Sequence, residues 1–246
     1  VPIVLGLDFE TTIAEPINPS EQRVIEIGAI LYDTEKKVSI DFYSSLVWGS
    51  DYPFDPLITE LTGLHFEHLK KYSGKLADSF TALFYLIDKC DYILAHNGNA
   101  FDKIIFEAEC TRLGVMAPNK IWLDSRYDLP YSEKIKSRNL THLCADHGFL
   151  NPFPHRAIFD VAAMLEIFRH YDFEKVVKLA TTPKIKVIAR KVSPPWKDGG
   201  VDNGKLKVNG FKFNPENKTW FKEIFEEDLD NLRNSTGFIL EIQNDS

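Results

Sequence analysis

Three separated stretches carry the residue types that bind hard cations and move protons. The first is Asp8-Phe9-Glu10, two carboxylates at i and i+2 that close the apolar run Ile3-Val4-Leu5-Gly6-Leu7. On a strand these two project from one face, roughly 7 Å apart along the chain. Like charges so placed repel unless a cation lies between them, and Mg²⁺ or Mn²⁺, which prefer oxygen ligands, meet that need. The second stretch is His96-Asn97-Gly98-Asn99-Ala100-Phe101-Asp102, where an Asn/Gly loop ends in an acid at a helix start. The third, Pro154-His155-Arg156-Ala157-Ile158-Phe159-Asp160, presents a histidine in a proline-flanked loop and an aspartate at the head of the next helix. On one continuous helix His155 and Asp160 would stand about 140° apart. A loop followed by a helix lets both face one pocket.

The chemistry that such a set serves is hydrolysis of a phosphodiester. That reaction needs an activated water and stabilised charge on the phosphate and the leaving oxygen, and two metal ions roughly 3.5–4 Å apart supply both. Four carboxylates hold two ions and leave positions for water and substrate. A histidine, which ordinarily titrates at about 6.5, takes the water's proton. Taken singly, each acid also reads as part of a wet surface, and Asp102 and Asp160 as helix N-caps. All five together favour the metal site, and that site requires Asp8 and Glu10 to face the same way.

Positioning these residues requires strands whose ends meet loops. Residues 3–10, 23–33 and 37–48 are rich in Val, Ile, Tyr and Phe and read as strands. Asp33-Thr34-Glu35-Lys36 reads as a tight turn, so three antiparallel strands are expected. Residues 14–22, with Pro16 and Pro19, read as a loop above the carboxylates. After Trp48 the period becomes helical. Leu57, Leu61, Leu64 and Leu69 recur behind Asp55-Pro56, interrupted by Gly63, and residues 76–89 follow with Phe80, Leu83, Phe84 and Ile87 on one face. Short strands are expected at 92–96 and 121–124. Helices are expected at 101–113, 139–147 and 158–170, the last being the final long helix of the domain, with Gly114 and Gly148 as stop signals. The fold class is therefore α/β: a mixed sheet of three antiparallel and two parallel strands, flanked by helices.

In combination and order, Asp8-x-Glu10, Asn97-x-x-x-x-Asp102 and His155-x-x-x-x-Asp160 resemble the DEDDh group of DnaQ-like 3′→5′ exonucleases, of the exonuclease X and DNA polymerase III proofreading-subunit type. The likeness spans about residues 1–175. The resemblance implies a ribonuclease H-like fold, with Asp8, Glu10, Asp102 and Asp160 as ligands of two Mg²⁺ or Mn²⁺ ions and His155 as general base. His155 matches the family's histidine branch; residues 151–160 contain no tyrosine. It further implies cleavage of terminal phosphodiesters of nucleic acid to nucleoside 5′-monophosphates, with the 3′ end entering first. Single-stranded DNA is the favoured substrate, and RNA trimming on the same fold is the alternative. A third reading, a binder of nucleic-acid ends that does not cut, is disfavoured because none of the five residues is lost. Thr11 matches a position where the family contacts the terminal nucleotide. Leu61-Thr62-Gly63-Leu64 resembles the family's Thr-Gly segment along the cleft, with Leu61 or Leu64 either beside the last base or, equally, ordinary core residues. Asn97 and Phe101 complete the expected substrate contacts, although for Asn97 shaping its loop is the favoured role. His96 is expected to be buried and hydrogen-bonded, and Asp124 to be structural.

The whole chain sets the bounds. Its 246 residues are 44% hydrophobic and 26% charged, enough for a sizeable core. No apolar run reaches the ~18 residues of a membrane span, and no basic region followed by an apolar core opens the chain. Cys90, Cys110 and Cys144 are odd in number and widely spaced, so reduced cysteines, a cytoplasmic location and no membrane contact are expected. The net charge of −7 is uneven: residues 184–222 hold ten basic and three acidic residues, and residues 223–246 one basic and seven acidic. An acidic body with a basic segment suits a nucleic-acid enzyme. The expected domains are an exonuclease domain at 1–180, a linker at 181–200 containing Pro194-Pro195, and a small α+β module at 201–246. From Lys205 to Lys222 that module interleaves lysines with aromatics, which fits either nucleic-acid binding or a small core of its own. No polymerase domain is present, so proofreading would need a partner in trans, and the sequence identifies no protein partner.

Overall fold

Alternation of side chains along one strand organises the first half of the molecule. In the computed structural model of the protein that strand is β1 (Ile3–Thr11). The structure describes residues 1–13, 18–49, 52–132, 134–192 and 201–243, with the backbone alone at 201–203. Leu5, Leu7 and Phe9 point to one side of the sheet and Val4 to the other, each side meeting its own apolar cluster. Gly6, Asp8 and Glu10 continue the side of Val4. The two acids therefore share a face by simple period-two geometry.

Strand β2 (Val24–Asp33) pairs antiparallel with β1, and β3 (Val38–Leu46) pairs antiparallel with β2. The turn between them is closed by Asp33, whose Oδ1 accepts from Glu35 N and Lys36 N. Three helices follow: α1 (Pro56–Thr62), α2 (Phe66–Tyr72) and α3 (Leu76–Ile87). The leucine-rich stretch 57–69 is two helices because Gly63 ends the first in a left-handed conformation, φ 70°. Then come β4 (Tyr92–Ala95), α4 (Asp102–Arg112), β5 (Ile121–Asp124), α5 (Leu140–Asp146), α6 (Ala157–Phe168) and α7 (Phe173–Thr181). The sheet order is β3-β2-β1-β4-β5, with β4 and β5 parallel to β1, so β1 lies at the centre. This is the expected α/β arrangement of three antiparallel and two parallel strands.

Helices α3 and α4 cover one face, where Phe80, Leu83, Ile87, Ile105 and Phe106 pack against Leu5, Leu7 and Phe9. Helices α5, α6 and α7 cover the other. The approach of α6 is close: a Cβ at Gly28 on β2 would lie 2.3 Å from the Ala157 carbonyl carbon, at the first residue of α6. Gly28 is the partner of Asp8 across the ladder. Helix α7, of nine residues, is an addition to the sequence expectation, which made α6 the last long helix of the domain. The three cysteines are buried and unpaired. No described helix is long and apolar enough to cross a membrane.

The chain divides into two compact units, Val1–Ala180 and Thr181–Ser246. The second unit contains β6 (Lys184–Arg190), α8 (Val201–Val208), β7 (Lys212–Asn214), β8 (Thr219–Phe225), a 3₁₀ turn (Glu226–Asp228), α9 (Leu229–Thr236) and β9 (Ile239–Gln243). Its antiparallel sheet has the order β7-β8-β6-β9. Residues 184–190, expected within a linker, are instead an inner strand, because Val187 and Ala189 are needed in the core with Trp220, Ile224 and Leu240. Pro194-Pro195 and Pro16 lie outside the described residues. Lys205 and Lys207, which open the stretch that interleaves lysines with aromatics, lie on helix α8, with Leu206 between them buried.

Candidate active site

The C-terminal end of β1 opens into a cleft of about 280 Å³. Asp8, Glu10, Thr11, Leu61, Thr62, Phe101, His155 and Asp160 all line it. Asp8 and Glu10 thus face the same way, as period two requires. Residues from β1, α1, the β4–α4 loop and the head of α6 meet here although they lie up to about 150 positions apart in sequence.

Asp102 stands behind the cleft wall. It is 1% exposed and its Oδ1 accepts from Phe9 N at 3.0 Å, which ties the first residue of α4 to β1 between the two acids. Neither Asp102 nor Asp160 is an N-cap. Phe101 and Arg156 occupy those positions, so Asp102 is the first residue of its helix and Asp160 the fourth of α6. One turn into α6, Asp160 points back across the entering loop. Its Oδ2 accepts from His155 N at 2.8 Å and its Oδ1 from Asn151 Nδ2 at 2.6 Å. His155 is exposed and has φ 61°, a backbone conformation that costs a non-glycine residue about 1–2 kcal/mol. The bonds from Asp160 hold the loop in that conformation.

A second restraint acts from β2. Glu26, 1% exposed, accepts from Arg156 Nε at 3.1 Å, from Arg156 Nη2 at 2.8 Å and from Ala157 N at 3.2 Å. The residue after His155 is thereby clamped by a two-pronged ion pair, and the same carboxylate satisfies the start of α6.

The electrostatics are those of a cation site. Burial, then the charges of Asp102, Glu10, Asp160 and Glu26, push Asp8 well above the usual carboxylate range. Burial, then Asp160, Glu26 and Asp102, do the same to Glu10. Burial pushes Asp102 up to about 8 and Asp160 up to about 6. Carboxylates crowded in this way favour protonation until a cation offsets their charge. Glu10, His155 and Asp160 each offer one ligand atom, all within 4.8 Å of one another. Asp8 and Asp102 lie outside that trio, but Glu10 and Asp160 raise the pKa of Asp8, and Asp102 raises that of Glu10. An all-oxygen set with one imidazole beside it fits a hard divalent ion such as Mg²⁺ or Mn²⁺.

The expected substrate contacts divide. Thr11 and Thr62 line the cleft with their hydroxyls already bonded to Ile13 O and Ile58 O. Leu61 is 41% exposed and lines it freely. Leu64 is corrected to a core residue: it is 4% exposed in a cluster with Ile25, Ile58 and Leu69, because Gly63 turns it inward. Asn97 does not line the cleft. It has φ 63° and its N–H donates to Asp124 Oδ1, so it shapes the loop. Asp124 also accepts from Asn99 N and Arg126 N. His96 lines the cleft with Nδ1 2.8 Å from Ser125 Oγ, and burial pushes it down to about 4, which keeps it neutral. Arg126, Asn139 and Thr141 also line the cleft, and no motif pointed to them. Glu26 and Asn151 were missed as well. The one linear signal for either is the adjacency of Arg156 to His155, which calls for a buried acid.

A central strand delivering acids to its end, in a mixed five-stranded sheet flanked by helices, is the ribonuclease H-like exonuclease fold. Solved structures share it. The nuclease domain of 3′hExo, a DEDDh family member, bound to rAMP matches with TM-score 0.58 at 16% identity, over 68% of this chain and 90% of that one. E. coli exonuclease I with a dA16 oligonucleotide matches with TM-score 0.61 at 18% identity, over 78% of this chain and 48% of that one. Another exonuclease I structure matches with TM-score 0.63 at 17% identity, over 94% and 67%. No curated protein matches the sequence. The exonuclease (RNase_T) family model matches residues 5–168, and the chain belongs to that family.

Proposed function

We propose that the protein is a divalent-metal-dependent exonuclease that removes nucleoside 5′-monophosphates from the 3′ end of single-stranded DNA. The observation that carries this reading is the cleft in which Asp8, Glu10, Asp160 and His155 meet, with Asp102 buried behind it. Two Mg²⁺ or Mn²⁺ ions held by the four carboxylates would neutralise charge on the phosphate and the leaving oxygen and acidify the attacking water. His155, at the exposed rim, accepts that water's proton. Glu26, through Arg156 and Ala157, and Asp160, through the His155 amide, hold the imidazole's loop. Thr11, Leu61, Thr62 and Phe101 form the wall against which the terminal nucleotide rests, and Arg126 meets its phosphates. The unpaired cysteines fit a reducing, cytoplasmic setting.

The oligonucleotide complexes of exonuclease I support a DNA strand. RNA is the second reading. It is favoured by the rAMP complex of 3′hExo and by a related 3′-exonuclease whose structure concerns a histone mRNA stem-loop, and phosphoryl chemistry does not involve the sugar. The test offers 5′-labelled single-stranded DNA and RNA with Mg²⁺, Mn²⁺ or a chelator. A ladder that shortens from the 3′ end only with metal is expected, faster on DNA. His155→Ala and Asp160→Ala should each slow it by about 100-fold or more. Degradation that survives either substitution refutes the assignment.

A further inference from the structure

The sheet of the second unit packs its own helices on one face; on the other Ile188 is 6% exposed, while Lys184, Arg190 and Lys212 are exposed. Ile185, Val187 and Ala189 of β6 and Trp220 and Ile224 of β8 turn toward Leu206 of α8 and Leu229 and Leu232 of α9. The alternate residues, Lys184, Lys186, Ile188 and Arg190 of β6 and Phe221 and Phe225 of β8, stand on the opposite face. Neither phenylalanine belongs to the unit's core, and both rings are only half-buried. Register aligns them with partners: Ile188 lies across from Phe221, Lys184 from Phe225, and Lys212 of β7 from Phe221 on its other side. Lys186 Nζ lies 4.8 Å from the centre of the Phe221 ring and Lys184 Nζ 5.7 Å from that of Phe225.

The charge on this face names the occupant. Lys184, Lys186, Arg190 and Lys212 outnumber Glu223 and Glu241, and Glu241 is already paired with Arg190 at 2.6 Å. This cationic patch belongs to a chain of net charge −7. Aromatic rings on an antiparallel sheet, edged with lysines, stack on bases while the lysines meet phosphates. Four residues along β8 set the rings ~13 Å apart, far beyond the ~3.4 Å between stacked bases in a duplex, so only an unstacked, extended strand reaches both.

We infer that this face binds single-stranded nucleic acid, stacking bases on Phe221 and Phe225. The inference rests on nucleic acid being the substrate and assigns a gripping site outside the cleavage cleft. Anisotropy of a labelled strand of about 12 nucleotides, measured on the full chain with chelator present, tests it. The double variant Phe221→Leu/Phe225→Leu keeps apolar bulk and removes the rings. It should raise Kd about tenfold while leaving metal-dependent cleavage of a dinucleotide unchanged. Lys184→Gln/Lys186→Gln should lower the slope of log affinity against log salt by about 1.4. Affinity of the leucine variant equal to that of the parent protein overturns the inference, whatever the cleavage assay shows. Ring-dependent binding by a parent protein that cuts nothing upholds the inference and removes the exonuclease reading instead.

Discussion

Asp8, Glu10, Asp102 and Asp160 crowd one end of a strand, and the Arg156 guanidinium that acts on Glu10 is engaged by Glu26. This has a measurable cost. A carboxyl whose folded pKa exceeds its unfolded value holds its proton more tightly when folded. Stability is therefore greatest below the unfolded pKa of about 4 and falls as pH rises through the folded values. The loss is about 1.4 kcal/mol for each pH unit that separates a group's folded pKa from its unfolded one. Asp160 at about 6 and Asp102 at about 8 set the window. In chelator, the melting temperature should fall between roughly pH 4 and pH 8, and Mg²⁺ should restore it at neutral pH. A chelated protein whose melting temperature climbs over that range would contradict this account. The motif residues were legible because their chemistry is packed into short runs. The restraints were not: Glu26 reaches Arg156 across 130 positions, and Asn151 is an ordinary polar residue until Asp160 folds back on it. Leu61 and Leu64 are the same residue type in one short segment, and only the left-handed Gly63 separates cleft wall from core.

At the scale of elements, α6 decides whether the site closes. It carries Asp160, follows His155, and rests on β2 with no gap at Gly28. A methyl group there meets the backbone of Ala157, which cannot swing aside, whereas a methyl at Gly6 meets the Val161 and Leu165 side chains, which can. Gly28→Ala should cost about 1–3 kcal/mol in thermal unfolding and lower turnover, because the first turn of α6 shifts with its loop. Gly6→Ala should leave turnover close to that of the parent; equal activity of the two variants would show that this contact does not set the site. The central strands and the long amphipathic helices were readable from period alone. Three short elements were not. Helix α7 resumes four residues after α6 ends and looks like its tail. Strand β6 follows Thr181-Thr182-Pro183 and alternates lysine with apolar residues, so it resembled a basic linker until its pairing with β8 and β9 was seen. Helix α8 contains Asn203 and Gly204, both weak helix formers, and its place is set by Leu206 entering the core.

For the whole molecule, two units invite a division of labour, with cleavage chemistry in the first and strand grip in the second. Within the first unit there is a further division, in time. Asp8 and Glu10 belong to the central strand of a five-stranded sheet, paired with Gly28 and Glu26 of β2 and tied to α4 by the bond from Phe9 N to Asp102, so their backbone is released only by an opening that disrupts the sheet. His155 sits in a loop fastened by a few side-chain bonds at Asn151, Asp160 and Glu26, and it holds an unfavourable φ. Amides of residues 153–156 should exchange with solvent far faster than those of Leu5 and Leu7, through local opening that leaves the sheet intact. Exchange at matching rates in both segments would mean that loop and strand open together. Under the proposed mechanism the contrast gives the site one fixed jaw and one that lifts: opening of a single loop would interrupt proton transfer and let a spent nucleotide leave while the acids stay in place for the next phosphate.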